Sequence, residues 1–313
     1  MSALWWLKPY FSLRASHSTG FRAPTPGQVN ISNITTLLAD GVLVYPGTIA
    51  PTTAIAGEYG GEELKPEESK NYTLGAVFYL GDVSLTVDTY QIDMSDRITQ
   101  SADIALTAQQ AQDLEEAGFA GASSLRSFRF HINDFKSSTR GLDVVASFPK
   151  ELLGGRSTFN LTYNYNTTKV THFNPMTLDL LRIRQIEDSL PQHRGNISWS
   201  HRSGAWRSLL RANYYDTYWM AHVGSIDLAF EPSAEITLDA EVAFSFRNSI
   251  GLSDSDKRSA RGGQLTLALG VKNLFNNFPD KNPYSAVTGS KYPEHAPMGI
   301  AGGVYYMRLT SEF

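Results

Sequence analysis

Seven histidines, at positions 17, 131, 172, 193, 201, 222 and 295, are the residues from which a metal centre or a general base would first be built. None has the spacing either needs. A zinc hydrolase grips its metal between two histidines one helical turn apart, as in HExxH, and no such pair occurs. The nucleophile elbow G-x-S-x-G, the phosphate loop G-x-x-x-x-G-K-[ST] and the dinucleotide fingerprint G-x-G-x-x-G are missing too. With no cysteine, disulfides, thiolate metal sites and cysteine nucleophiles are ruled out. No catalytic residue, resident metal or cofactor is expected. What remains is binding chemistry: Arg14, His17 and Arg22 can offer positive charge to an anion.

Something must hold those side chains, and the periodicity says what. In "ITLDAEVAFSF" (236–246), Ile236, Leu238, Ala240, Val242, Phe244 and Phe246 alternate with Thr237, Asp239, Glu241, Ala243 and Ser245. That is the period of a strand with one apolar face. The same alternation runs through "STFNLTYNYN" (157–166), "GLDVVASF" (141–148), "NYTLGAVFYL" (71–80) and "QLTLALGV" (264–271). A soluble sandwich alternates as well. Here, however, it persists for roughly nine to eleven residues, the length a tilted strand needs to cross hydrocarbon. Aromatics gather near segment ends in "LWWLKPYF", "NYYDTYWM" and "VYYM", where an interfacial belt wants them. The expected fold is all-β: a transmembrane antiparallel β-barrel portion.

Composition agrees. The 313 residues are 42% hydrophobic with a formal net charge of −4 and no Lys/Arg run, which leaves nucleic acid without a basic footprint. No stretch is long and apolar enough for a membrane helix, and Met1–Trp6 is too short for a signal peptide, so an exported form is expected to need an upstream signal. About ten strands are expected, near 6–18, 69–80, 83–98, 127–148, 155–170, 193–202, 206–220, 234–247, 263–275 and 300–313. Short turns at 81–82, 149–154 and 203–205, with a longer one at 248–263, alternate with long connections at 19–68, 99–126, 171–192, 221–233 and 276–299. Long loops on one side and short turns on the other is the outer-membrane arrangement. Residues 127–148 read as one strand with a bulge near 136–139. Thr107 and Gln110 form a capping box that predicts a helix over 107–117, stopped by Gly118.

Several motifs now add up. "GFRAPTPGQV" (20–29), "LKPEESKNYTLGAVF" (64–78), "STRGLDVVASF" (138–148), "LPQHRGNISW" (190–199), "LALGVKNLFNNFPDKNPY" (267–284) and the terminal Phe313 follow in order along nearly the whole chain. Together they resemble the C-terminal barrel of TonB-dependent outer-membrane receptors. In "VKNLFNN", Asn273, Asn276 and Asn277 suit a turn while Leu274 and Phe275 anchor a strand end. Gly141 suits a bulge or close backbone approach. Arg140 faces either the lumen or a carboxylate, while Glu67, Glu68 and Lys70 read as a solvated collar. Sequons at Asn160, Asn166 and Asn196 read as lumen-lining residues rather than glycosylation sites.

The resemblance implies a barrel of about 22 strands plugged by an N-terminal domain. No plug or TonB box is recognisable, so residues 1–313 are expected to be the C-terminal part of such a barrel. It further implies a location in the Gram-negative outer membrane, with long loops outward, short periplasmic turns and contact with outer-membrane lipid. The implied function is capture of a scarce nutrient, such as a ferric siderophore or other metal chelate, and its import energised through the TonB complex. A stand-alone ten-stranded enzyme and a passive porin are the alternatives. Candidate ligand residues are Arg14, His17 and Arg22, expected at the outer mouth, with Tyr45 and Tyr59 in the loop 19–68. Tyr305, Met307, Leu309 and Phe313 resemble the terminal-strand signal read by the barrel-assembly machinery; plain interfacial anchoring is the alternative, and the two are compatible.

Overall fold

The computed structural model describes residues 1–39, 42–118, 121–175, 178–222, 225–247 and 264–312. The turn 248–263 and Phe313 therefore lie outside the described residues. Eleven long strands dominate: β1 Ser2–Lys8, β2 Phe11–Arg22, β3 Glu67–Leu80, β4 Val83–Gln100, β5 Ser127–Leu152, β6 Gly155–His172, β7 His193–Ser203, β8 Trp206–Tyr215, β9 Glu235–Arg247, β10 Gln264–Lys272 and β11 Val304–Glu312. They pair antiparallel in sequence order, leaving β1 and β11 as edges that are not joined to one another among the described residues.

The expected strand 6–18 is a hairpin instead, so the count is eleven rather than ten. Pro9 carries no donor for a ladder, and the chain reverses at Pro9-Tyr10 to pair Lys8 with Phe11. This reversal falls at the same end of the sheet as the turn 81–82, because the Tyr79 amide donates to the Tyr10 carbonyl at 2.9 Å. The sidedness read from the turns is unchanged. Strand β8 stops at Tyr215, short of the expected 220, and β11 begins at Val304 rather than at 300. Two-residue turns close β3–β4, β5–β6 and β7–β8. In the second, Leu153 and Gly154 both have positive φ (54° and 70°), as a type I′ hairpin requires.

Strand β5 runs unbroken through 136–139, with register shifts against β4 around Phe135 and against β6 at Lys136/Ser137. Beyond them, its outer end carries a small satellite core. The short strand Pro46–Ile49 pairs parallel to Ser127–Phe130, and Ile49, Ile55, Ala56, Leu114, Leu125, Phe128 and Phe130 are buried together. Helix α1 (Ala108–Glu116) roofs this core, its capping box formed by Thr107 and Gln110 as the sequence indicates. Helix α2 (Leu180–Asp188), capped by Asp179, fills another long connection. No helix among the described residues is long and apolar enough to cross a membrane.

Register gives the sheet two unlike faces. Ala15, Leu74, Thr89, Leu142 and Tyr165 lie side by side on one of them, as do Phe148, Phe159, Trp199, Leu210, Ala240, Val271 and Tyr305. Ile236, Val242, Phe246 and Leu269 are about half exposed on this face. Water would not tolerate so large an apolar surface; hydrocarbon requires it. Aromatic rings border the band: Tyr72, Tyr165 and Tyr214 towards the long loops, with stacked Phe11–Phe78 and edge-on Trp206–Phe244 towards the short turns. The belt expected from "NYYDTYWM" is only partly there, since Tyr218 and Trp219 are buried in the loop after β8.

Candidate functional site

The opposite face is polar and knitted across the strands. Arg14 on β2 is paired with Asp88 on β4. Asn164 on β6 donates to Asp143 on β5 at 2.6 Å, and Asn196 on β7 to Thr162 on β6 at 2.5 Å. Asn213 on β8 donates to both Asp239 and Thr237 on β9 at 3.1 Å. Tyr306 and Arg308 on β11 reach Glu241 on β9 at 2.6 and 2.9 Å. Asn160, Asn166 and Asn196 belong to this face by register, as expected for lumen-lining residues. A recess of about 570 Å³ opens on it, lined by Arg14, Asp88, Asp143, Asn164, Asn196 and Asn213.

Two of these contacts, and a third in which Asn164 on β6 donates to the Tyr90 hydroxyl on β4 at 3.5 Å, pass over a glycine. Arg14 and Asp88 flank Gly75 in register, and a Cβ there would strike the Asp88 carboxylate and come within 2.9 Å of Arg14 Nε. The Tyr90 ring lies over Gly141 and the Tyr306 ring over Gly270, each filling the space a side chain would take. Gly141 thus serves the close approach expected of it. Glycine gives a long polar side chain a saddle across which to reach the second strand along.

The ligand candidates do not share one mouth. Arg14 sits near the short-turn start of β2, and Arg22 ends the same strand at the long-loop side. The hairpin at Pro9 shifted the frame, so Arg14 lines the wall instead. His17 has the opposite parity and stacks on Tyr72, ring centroids 4.7 Å apart, on the apolar face. Arg22 binds Glu67, which also accepts the Ile98 amide at 2.8 Å. Glu67 is therefore buried, not part of a solvated collar. Tyr45 is half-buried. Tyr59 packs edge-on against Phe128 and accepts from Gln110 at 3.3 Å, beside an open recess of about 490 Å³ lined by Glu62, Glu63, Lys65 and Asn133.

Two features at the loop end escaped sequence reading. Arg184 of α2 lies over the Trp219 ring at 4.3 Å, and burial, together with nearby Arg129, pushes the Arg182 guanidinium below its ordinary value. Asn273 and Asn276 adopt positive φ, and Asn277 exchanges hydrogen bonds with Asn273 at 2.7 and 3.0 Å, which is the turn chemistry read from "VKNLFNN". Tyr305, Met307 and Leu309 project from the edge strand on the apolar face and are largely exposed. Among the described residues no cluster of three or more His, Asp or Glu side chains is disposed to hold a metal.

A sheet of long antiparallel strands, apolar outside, polar inside and looped at one end, is the wall of a membrane β-barrel. Residues 2–274 match the family described as TonB dependent receptor-like, beta-barrel, and the chain belongs to that family. Similar solved structures include a mutant ferric enterobactin receptor, PfeA, from Pseudomonas aeruginosa (14% identity, TM-score 0.59, 99% of this chain and 39% of that one). Others are the ferripyoverdine receptor of the outer membrane of Pseudomonas aeruginosa bound to ferripyoverdine (12%, 0.53, 99% and 32%) and the copper transporter OprC (12%, 0.57, 97% and 37%). The chain thus spans about two-fifths or less of their length. No curated protein matches its sequence. The family is one of receptors rather than enzymes.

Proposed function

We propose that residues 1–313 form the C-terminal part of the barrel wall of an outer-membrane nutrient receptor, which binds a metal chelate such as a ferric siderophore and imports it with energy from TonB. The observation that carries this reading is the continuous polar face across β2–β11, backed by an apolar one. Such a wall offers a ligand hydrogen-bonding groups along its path, while a plug domain of the same receptor would gate passage. The similar structures bind or carry siderophores and copper by their own descriptions, which favours a metal-bearing cargo here. Arg14 and Arg22 stand at two depths of the wall, each ion-paired, with Asp88 and with Glu67, and each about half exposed, and Tyr59 borders an open recess among the loops.

Uptake of radiolabelled ferric chelates and copper by cells with and without TonB tests the reading. Accumulation above the level of cells lacking the receptor, confined to those with TonB, is the expected result. Equal flux in both would instead make the barrel a passive porin.

A further inference from the structure

Glu235 opens β9 on the polar face, opposite Tyr215 and one step beyond the Tyr214–Ile236 pair at the aromatic border, so it stands outside the hydrocarbon. Both of its carboxylate oxygens are buried, and neither has a hydrogen-bond partner among the described residues. An ionised carboxyl shut away from water needs donors. Those around Glu235 are occupied elsewhere. The Ser233 amide goes to Asp280 Oδ2 at 2.8 Å, the Tyr218 hydroxyl to the His295 carbonyl at 2.5 Å, and the Asn277 side-chain amide to the Ile236 carbonyl at 2.8 Å.

The first two of those bonds join two long loops. Tyr218 and Ser233 belong to the connection between β8 and β9, and Asp280 and His295 to that between β10 and β11. Tyr284 of the second loop adds a bond to the Ala229 carbonyl at 3.2 Å, and Tyr218, Pro232 and Asn282 are buried. The titratable groups facing Glu235 are Tyr218 and Asp280, with Tyr215 across the strand pair and Arg194 one strand further. His222 and Glu294, 3.3 Å apart, make a separate contact between the same loops. Burial and the charge of Asp280 push the Glu235 carboxyl up to about 7. Burial and both acids also raise the Tyr218 hydroxyl, which stays a donor.

We propose that Glu235 is a proton-operated latch between these loops: neutral, it rests in the closed joint, and ionised, it drives the joint apart and lets the two loops separate. Ionised in place, it would set a second negative charge beside Asp280 with no donor to hold it. Separation returns it to water, where a glutamate ionises near 4.5. Between about pH 4.5 and 7 the closed joint therefore holds more protons than the open one. By linkage, closure is favoured at acid pH and weakens as the pH rises through that window. Nothing in this depends on the identity of the cargo.

The test uses the complete receptor in detergent, spin-labelled at Ile226→Cys and Ala286→Cys, exposed positions of the two loops, with any cysteine elsewhere in the receptor replaced. Pulsed EPR gives the distance between the labels at each pH. From about pH 5.5 to about pH 8, the ratio of a longer, open distance to the short, closed one should rise about thirtyfold. Glu235→Gln, which cannot ionise, should keep the wild-type distribution of acid pH throughout. Asp280→Asn should shrink the change, because one source of repulsion is gone. An unchanging distribution in the wild type, or a pH response that survives Glu235→Gln and so belongs to His222 and Glu294, would overturn the proposal.

Discussion

Single residues decide how the polar face is joined. Gly75, Gly141 and Gly270 let Arg14, Tyr90 and Tyr306 cross to the second strand along, which makes a wall of side-chain bonds rather than of backbone ladders alone. Gly270→Ala should displace the Tyr306 ring, loosen its bond to Glu241 and cost about 1–3 kcal/mol, read as a lower temperature for loss of the folded form in detergent. An unchanged midpoint would remove the saddle from the account. Sequence alone indicated a close approach at Gly141 but not at Gly75 or Gly270, because the partner of a glycine depends on register two strands away. The same dependence explains Arg14: one unrecognised turn at Pro9-Tyr10 moved it from the expected mouth to the wall. Arg140 could be placed only once its row was known: beside Gln91 and Thr167, on the apolar face rather than towards the lumen.

At the scale of elements, local signals were legible and non-local pairings were not. Helix α1 follows from the Thr107/Gln110 box, whereas α2 begins from Asp179 alone, with no second reciprocal contact to betray it. The strand Pro46–Ile49 carries a proline and a glycine and pairs in parallel with a segment eighty residues on, which no local pattern encodes. Its role is to use the apolar residues of the longest loop for packing: Ile49 and Ile55 are buried against Phe128 and Phe130 and are not free to cover a ligand. Phe128→Ala should therefore cost about 3–5 kcal/mol of local stability and speed protease cleavage near 50–62 while the transmembrane strands stay protected. Cleavage at the wild-type rate would mean that this loop is held by something else.

At the scale of the molecule, the strand alternation and the one-sided loops were readable, since each is a repeated local property, and the aromatic borders only in part, since Tyr218 and Trp219 are buried in a loop. Closure is not, because it depends on what lies beside β1 and β11. Each unpaired backbone group in hydrocarbon costs several kcal/mol, and long free edges in water invite association. Residues 1–313 produced alone should accordingly aggregate. Monodisperse, heat-resistant behaviour in detergent would contradict this and point to a closed eleven-stranded protein.

The central claim is that the two faces meet two solvents, and the chain's lack of cysteine makes that directly measurable. Leu238→Cys and Asp239→Cys place single thiols on neighbouring residues of β9, one per face. In the receptor assembled in the outer membrane, a lipid-soluble maleimide should label position 238 and a small water-soluble one position 239. Labelling of both positions to the same extent by the water-soluble reagent would contradict the membrane-barrel account.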